Sequence, residues 1–153
     1  MGPSCFHPDT LVMGEFSEGQ FREICYVQPG DLVLARSETT GEHGLKRVVA
    51  CVSHEGIELF KIYYIDARGP VALPILTTDD HAFWVDRSGW TPAGALRPGF
   101  KICTHNGFVE VRAARYAGVK TEVFEVEVED FHSYFVGPSG LLVRDKWSIT
   151  VGS

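Results

Sequence analysis

The sequence predicts an all-β domain, because short strand-like runs fill it and helical signals are scarce. Its 153 residues include 16 glycines and 8 prolines, which separate runs rich in Val, Ile, Phe, Tyr and Thr. β-Branched and aromatic side chains favour strands because they fit a pleated, half-buried surface. The predicted strands cover residues 31–35, 46–52, 59–65, 75–78, 81–85, 108–113, 123–128 and 134–136.

The segment from Phe124 to Val128 shows the clearest strand pattern, since apolar and acidic side chains alternate along it. A period of two places one face of a strand on a core and the other face in water. We therefore expect the acidic side chains here to form one solvated face, which comprises Glu125, Glu127, Glu129 and Asp130.

The best helical candidate is one short turn from Thr91 to Leu96. Pro92 would occupy its first position, where a helix accepts proline because no N–H is needed there. The prediction is therefore a single short helix in an otherwise β-rich chain.

The chain also repeats itself. Residues 24–30 align with residues 93–99, and both segments end in Pro-Gly and lead into a strand. Residues 60–66 align with residues 124–130, and the second copy is five residues shorter between these landmarks. Two similar β units are expected to pack as a pseudo-two-fold pair, which can bring both ends of the chain to one site.

The composition indicates one globular domain and argues against two classes of partner. Hydrophobic residues make up 44% of the chain and charged residues 22%, which is ordinary for a domain that buries a core. A net charge of −6 argues against nucleic-acid binding, which needs clustered Lys and Arg. No apolar run approaches the ~18 to 20 residues of a membrane span, and no signal peptide is recognisable. We expect a monomer, and the localisation stays unknown.

The four cysteines fall into two groups. Cys25, Cys51 and Cys103 each lie in an apolar stretch without CxxC spacing, and buried thiols that behave as small hydrophobes are the favoured interpretation. Cys5 differs because it stands at the start of the patterned sequence beside a Pro-Asp turn. We expect its thiol to be reactive.

Residues able to do chemistry lie near both ends of the chain. Cys5 opens it, Thr78 and His81 form a Thr-x-x-His motif, and His132 and Asp145 stand near the C-terminus. A thiol, two separated histidines and a carboxyl group at the edges of one domain suggest chemistry on the chain's own peptide bonds.

The order and spacing of these motifs resemble the Hint (hedgehog/intein) superfamily, most closely its bacterial intein-like and polymorphic-toxin HINT branches. The resemblance implies a flattened horseshoe of β-strands with pseudo-two-fold symmetry. It also implies an autoprocessing domain at 5–145, flanked by residues 1–4 (a tag or the end of an upstream extein) and by a tail at 146–153. The matching stretches are Cys5-Phe6 with Thr10, residues 29–35 and 78–85, Gly89-Trp90 with Ala93 and Leu96, and residues 123–126 and 132–136.

The resemblance implies roles for the N-terminal residues. The Cys5 thiolate would attack the carbonyl of Ser4 and convert the amide to a thioester, without any cofactor or metal. His81 would protonate the leaving nitrogen, since imidazole titrates near neutrality. Thr78 would orient the scissile amide or donate to the developing oxyanion. The implied partners are the chain's own flanking segments and an external nucleophile, such as water, a thiol or an amine.

The C-terminal end departs from the family pattern. The family ends Val-His-Asn, whereas this domain ends Val143-Arg144-Asp145 and continues with Lys146. A carboxylate cyclises less readily than a carboxamide, and a guanidinium does not release a proton. Splicing also needs Cys, Ser or Thr after the junction. We therefore expect N-terminal cleavage rather than splicing, and slow cleavage after Asp145 with assistance from His132.

Three alternatives stay open. A hydrolase acting on other proteins could use Cys5 and His81 as a dyad, although no Cys-containing helix start is present. An inactive β-rich binding or linker domain would explain Arg144 and Asp145. A zinc site built from Cys5 and histidines is the third, but the ligand spacing fits no structural pattern.

Overall fold

The computed structural model describes residues 4–145. The predicted flanking residues 1–3 and the tail 146–153 lie outside the described residues. The described chain forms twelve strands and two 3-10 turns, Ile24–Tyr26 and Ala93–Ala95. The strands are β1 (Leu11–Phe16), β2 (Gly19–Glu23), β3 (Leu32–Arg36), β4 (His43–Asp66), β5 (Gly69–Pro70), β6 (Ile75–Thr77), β7 (Ala82–Val85), β8 (Gly89–Pro92), β9 (Lys101–Thr104), β10 (Gly107–Val128), β11 (Ser133–Val136) and β12 (Leu141–Arg144).

All twelve strands belong to one sheet, in which neighbouring strands run antiparallel. The central order is β10-β4-β3-β1-β11-β12-β9-β7-β8. Within residues 4–145, no helix is long or apolar enough to span a bilayer. The all-β prediction is confirmed.

Two long strands, β4 and β10, pair with each other over nearly their whole length. The sequence predicted two strands within each of them, at 46–52 and 59–65 in β4 and at 108–113 and 123–128 in β10. Gly56 has φ 71°, and the register shifts between Tyr116 and Lys120 and again between Thr121 and Val123. These bulges absorb the extra residues, so pairing continues through a segment that reads as a loop.

The repeat predicted from sequence is visible in the hydrogen bonds. The N–H of Gly30 donates to the Val48 carbonyl at 2.8 Å, and the N–H of Gly99 donates to the Val111 carbonyl at 2.9 Å. The units β1-β2-β3-β4 and β7-β8-β9-β10 are therefore two copies of one motif, each with its 3-10 turn after the second strand. The pseudo-two-fold prediction is confirmed.

The predicted helix from Thr91 to Leu96 is wrong. Thr91 and Pro92 end β8, because Thr91 pairs with Phe83 of β7. Only Ala93–Ala95 form a 3-10 turn, and the backbone returns to the extended region at Leu96, with φ −68° and ψ 141°. The equivalent segment of the first copy forms the same turn at Ile24–Tyr26.

The leading segments of the two copies cross at the pseudo-two-fold axis. The N–H of His7 donates to the Leu76 carbonyl at 3.0 Å, and the N–H of Thr78 donates to the Cys5 carbonyl at 2.8 Å. Phe6 pairs with Phe124 of β10, whereas Thr77 pairs with Phe60 of β4. Each leading segment thus completes the sheet of the other copy.

The core lies under this crossing. Phe6 is fully buried and makes edge-to-face contacts with Phe83 and Tyr134, each at 6.2 Å between ring centroids. The β11–β12 hairpin supplies Tyr134 and pairs β12 with β7 through Val143 and Phe83. The hairpin therefore carries the C-terminal end of the domain to the place where its N-terminal segment crosses the core.

The turn between β11 and β12 gives a stability test. Gly137 has φ 78°, and an added Cβ would meet Ile75 Cδ1 at 2.7 Å. Gly118 has a similar φ of 73° but no neighbour within 4 Å. We expect Gly137→Ala to lower the free energy of unfolding by about 3 kcal/mol and the control Gly118→Ala by about 1 kcal/mol. Equal losses in urea denaturation would show that the contact with Ile75 relaxes freely.

Candidate active site

The amide between Ser4 and Cys5 is enclosed by the crossing segments. Ser4 is 7% exposed and Cys5 is 0% exposed. The N–H of Cys5 donates to Thr78 Oγ1 at 2.9 Å. The carbonyl oxygen of Cys5 accepts from the Thr77 hydroxyl at 3.0 Å and from the N–H of Thr78 at 2.8 Å. The structure thus brings Cys5 and Thr78, which the sequence places 73 positions apart, into direct contact at the nitrogen of this amide.

His81 lies near this amide and is fully buried. Its ring packs on Phe6 at 4.2 Å between centroids. Burial lowers the pKa of His81 to about 3, and the backbone carbonyls of Arg144 and Ser4 oppose that shift. Neither ring nitrogen completes a well-aligned hydrogen bond within residues 4–145. The imidazole is therefore neutral at rest, which differs from the titration near neutrality expected from sequence, because burial disfavours the imidazolium.

The C-terminal residues reach the same region. The Asp145 side chain is 0% exposed, and its Oδ2 accepts from the N–H of Val128 at 2.8 Å. His132 Nδ1 lies 3.0 Å from the same oxygen. The structure therefore brings together the two residues expected to act at the C-terminal junction. The guanidinium of Arg144 lies over Trp90, 5.5 Å from its ring centroid, while its carbonyl influences the pKa of His81.

Comparison with known proteins identifies the family. Residues 17–146 match the family model described as the pretoxin HINT domain. The chain belongs to this family. It is similar to a bacterial intein-like domain from Clostridium thermocellum, with 27% identity, a TM-score of 0.81, and 95% of this chain and 100% of that chain covered.

The same fold occurs in an intein. A DnaB intein from Synechocystis sp. PCC 6803 superposes with a TM-score of 0.78 at 17% identity, over 94% of this chain and 99% of that chain. No curated protein sequence matches the chain. The Hint horseshoe fold expected from sequence is confirmed, and membership in the family supports autocatalytic processing as the general class of activity.

The HINT domain also holds a buried acid that sequence reasoning missed. Glu125 is 0% exposed, so the expectation that it lies on a solvated face is wrong. Its Oε1 accepts from the Tyr134 hydroxyl at 2.6 Å and from the N–H of Val126 at 2.8 Å. Burial raises the pKa of Tyr134 well above 10, and Glu125, Asp145 and Cys5 add to the shift.

The alternation of apolar and acidic residues predicted a solvated face wrongly, because this end of β10 is covered on both faces. Val123, Glu125 and Val126 are all buried, and Phe124 is partly buried against the core. Of the remaining acids, Glu127 and Glu129 are partly buried and Asp130 is exposed, so only they retain contact with water. Residues 123–126 match a family motif, so the sequence drew attention to this segment. It did not predict that Glu125 is buried.

The expectation that the other three thiols are buried is correct for only one of them. Cys25, Cys51 and Cys103 form no disulfide. Cys103 is buried as expected, whereas Cys25 is only partly buried and Cys51 is exposed, with its thiol 3.3 Å from the Val27 carbonyl. Among residues 4–145, no group of three or more His, Cys, Asp and Glu side chains could hold a metal ion.

The buried imidazole makes stability depend on pH. The pKa of His81 is about 3 in the folded domain and about 6.5 in the unfolded chain. Between these values only the unfolded chain binds the proton, so stability falls as pH falls below 6.5. From pH 7 to pH 5 we expect the parent domain to lose about 2 kcal/mol more than His81→Asn in urea denaturation. Parallel pH profiles would contradict the burial of a neutral imidazole.

Proposed function

We propose that this HINT domain cleaves the chain at Ser4–Cys5 through an N-to-S acyl shift. The observation that carries the proposal is the buried amide whose N–H donates to Thr78 Oγ1 at 2.9 Å. His81 stands close enough to the Ser4 carbonyl for that carbonyl to influence its pKa. Nucleophile, amide orienter and proton carrier thus meet at one peptide bond.

The acyl shift exchanges one bond for another. The sulfur of Cys5 attacks the carbonyl carbon of Ser4, so a C–S bond forms as the C–N bond breaks. The thiol proton ends on the nitrogen of Cys5, which becomes a free amine. A hydrogen bond from the scissile N–H to Thr78 fixes the plane of the amide before attack.

His81 moves the proton. Its neutral ring can accept the thiol proton, and its lowered pKa makes it a weak base at rest. Negative charge that develops on the Ser4 oxygen stabilises the imidazolium, because an opposite charge nearby raises the pKa of a histidine. The ring therefore gains basicity as the tetrahedral intermediate forms, and then donates the proton to the leaving nitrogen.

The thioester is resolved by an external nucleophile. Cys5 is 0% exposed, so water, a thiol or an amine reaches the acyl carbon only after the upstream segment moves. Cleavage after Asp145 is slow, because its carboxylate is held by the N–H of Val128 and by His132 and lacks the carboxamide nitrogen. His132 positions this carboxylate.

Burial separates this proposal from a hydrolase that acts on other proteins. Such an enzyme needs an open groove at its thiol, whereas Cys5 and His81 are each 0% exposed. Two cavities of about 550 and 590 Å³ are lined by residues other than these two. An inactive linker domain is the remaining rival, and a cleavage assay decides between them.

The assay joins a reporter protein to residue 4 and adds dithiothreitol. We expect reporter release, none with Cys5→Ala, and at least about tenfold slower release with His81→Ala, since general acid–base catalysis contributes that much or more. Cys51→Ala is the matched control, because it removes an exposed thiol that has no role in the proposed reaction. Intact-mass analysis follows the products. A reporter that stays attached to the folded parent domain would favour the inactive-linker interpretation.

A further inference from the structure

The hydroxyl of Thr78 has one proton. The direction of this proton decides whether the hydroxyl can accept a hydrogen bond from the scissile N–H. Thr78 Oγ1 donates to Asp80 Oδ1 at 3.0 Å and accepts from the N–H of Cys5 at 2.9 Å. A hydroxyl has one donor and two acceptor sites. Once its proton is directed to a carboxylate, its lone pairs face the scissile amide.

The loop that carries Asp80 is fixed by the second 3-10 turn. The N–H of Gly94 donates to the Asp79 carbonyl at 2.7 Å, and the N–H of Ala93 donates to the His81 carbonyl at 2.9 Å. An added Cβ at Gly94 would meet the Asp79 carbonyl oxygen at 3.2 Å. The carboxylate of Asp80 is thus anchored from both neighbouring residues, at a fixed place relative to Thr78.

The first copy of the repeat has the same loop without this contact. The N–H of Cys25 donates to the Pro8 carbonyl and the N–H of Ile24 to the Thr10 carbonyl, which match the bonds of the second copy. At the equivalent of Asp80 stands Asp9, whose N–H bonds to His7 Nδ1 at 3.0 Å. The loop fold is therefore general to both copies, whereas the carboxylate–hydroxyl–amide chain belongs to the copy that holds the reactive junction.

We propose that Asp80 is a positioning residue for the acyl shift: it holds the Thr78 hydroxyl as an acceptor for the scissile N–H. The inference rests on the proposed cleavage at Ser4–Cys5 and assigns a further residue to that same site. Asp80 acts through Thr78 and has no part in proton transfer.

The surroundings of Asp80 agree with this role. Burial is the main cause that raises the pKa of Asp80, and the neighbouring charge of Asp79 adds to it, while the hydroxyls of Thr78 and Ser4 lower it. Ser4 and Thr78 lie on the two sides of the scissile amide. The carboxylate therefore contacts a hydroxyl on the acyl side as well as the one on the nitrogen side.

A positioning role needs an acceptor oxygen at residue 80 and not a charge. Asp80→Ala removes the acceptor, and we expect reporter release to slow about tenfold, the scale of a hydrogen bond to a charged group. Asp80→Asn keeps one carbonyl oxygen in the same place, so release should stay within about threefold of the parent rate. If Asp80→Asn is as slow as Asp80→Ala, the carboxylate acts as a base or a charge and the inference is overturned.

A double variant tests whether Asp80 acts through Thr78. In the Thr78→Val background, Asp80→Ala should slow release no further, because residues that act as one unit are not additive. Asp79→Ala is the matched control, since it removes the adjacent carboxylate, which is exposed and accepts from Tyr116 at 2.7 Å. We expect less than about a twofold change for this control. Additive effects of Asp80→Ala and Thr78→Val would overturn the inference.

A second readout does not depend on cleavage. In the uncleaved Cys5→Ala domain, the amide proton of residue 5 reports its hydrogen bond through its NMR shift and its exchange rate. Thr78→Val and Asp80→Ala should both move this proton upfield and speed its exchange, whereas Asp79→Ala should not. The dispersion of the remaining amide signals shows that each variant is folded.

The two readouts separate two failures. If the parent fusion releases no reporter but the amide proton responds as expected, the proposed cleavage fails and the positioning by Asp80 stands. If the parent fusion releases the reporter but Asp80→Ala leaves both the rate and the amide proton unchanged, the positioning inference fails and the cleavage stands.

Discussion

The candidate site depends on the antiparallel crossing of two short segments at the pseudo-two-fold axis. Two backbone bonds define it, from Thr78 to the Cys5 carbonyl and from His7 to the Leu76 carbonyl. Neither segment belongs to a long strand of its own copy, and each completes the sheet of the other copy. Because the crossing fixes backbone against backbone, the proposed cleavage junction is positioned by sheet geometry rather than by flexible side chains.

This arrangement places several polar side chains in the same buried region. His81 is kept neutral by burial, while Asp145 is fully buried against the N–H of Val128 and His132. Glu125 and the Tyr134 hydroxyl share a hydrogen bond nearby. Burial of polar groups costs stability unless they are paired. Among these groups His81 is the exception, because within residues 4–145 its ring nitrogens complete no well-aligned hydrogen bond. In a closed site, charge that develops during the proposed acyl shift would meet little competing water.

In the proposed reaction, the same burial separates formation of the thioester from its resolution. A site that excludes water protects the thioester from hydrolysis, but it also keeps out the nucleophile that releases the upstream segment. Cys5 is 0% exposed and Ser4 is 7% exposed. The proposed reaction therefore needs Ser4 to move away from the crossing, and its rate is expected to depend on how firmly the crossing holds Phe6.

Local sequence signals predicted the features that depend on local chemistry. The Pro-Gly landmarks at the ends of residues 24–30 and 93–99 revealed the repeat, because the same Pro-Gly turn follows the 3-10 turn in both copies. The helix predicted from Thr91 failed, because pairing of β8 with β7 overrides the preference of proline for a helix start. The two outcomes differ because residues close in sequence determine a turn, whereas strand pairing depends on residues that are distant in sequence.

The candidate site was also predictable only in part. Cys5, Thr78, His81, His132 and Asp145 were recognisable by residue type and order, and the fold brings them to one region. Whether each has its expected role stays a prediction. Glu125 was missed because its importance comes from burial, which the alternating pattern does not reveal. Asp80 was missed because the Thr-x-x-His motif leaves its position open, and only the folded loop shows its hydrogen bond to Thr78.

The central claim is that the chain is its own substrate at the bond enclosed by the crossing. The most direct measurement adds hydroxylamine to a domain with an upstream segment and determines the mass of the released end. Hydroxylamine attacks a thioester carbonyl, so a C–N bond forms and the Cys5 thiol leaves. The account predicts a hydroxamic acid on the carboxyl end of Ser4 and a free amine on Cys5. Release at another bond, or no release from a folded domain, would contradict it.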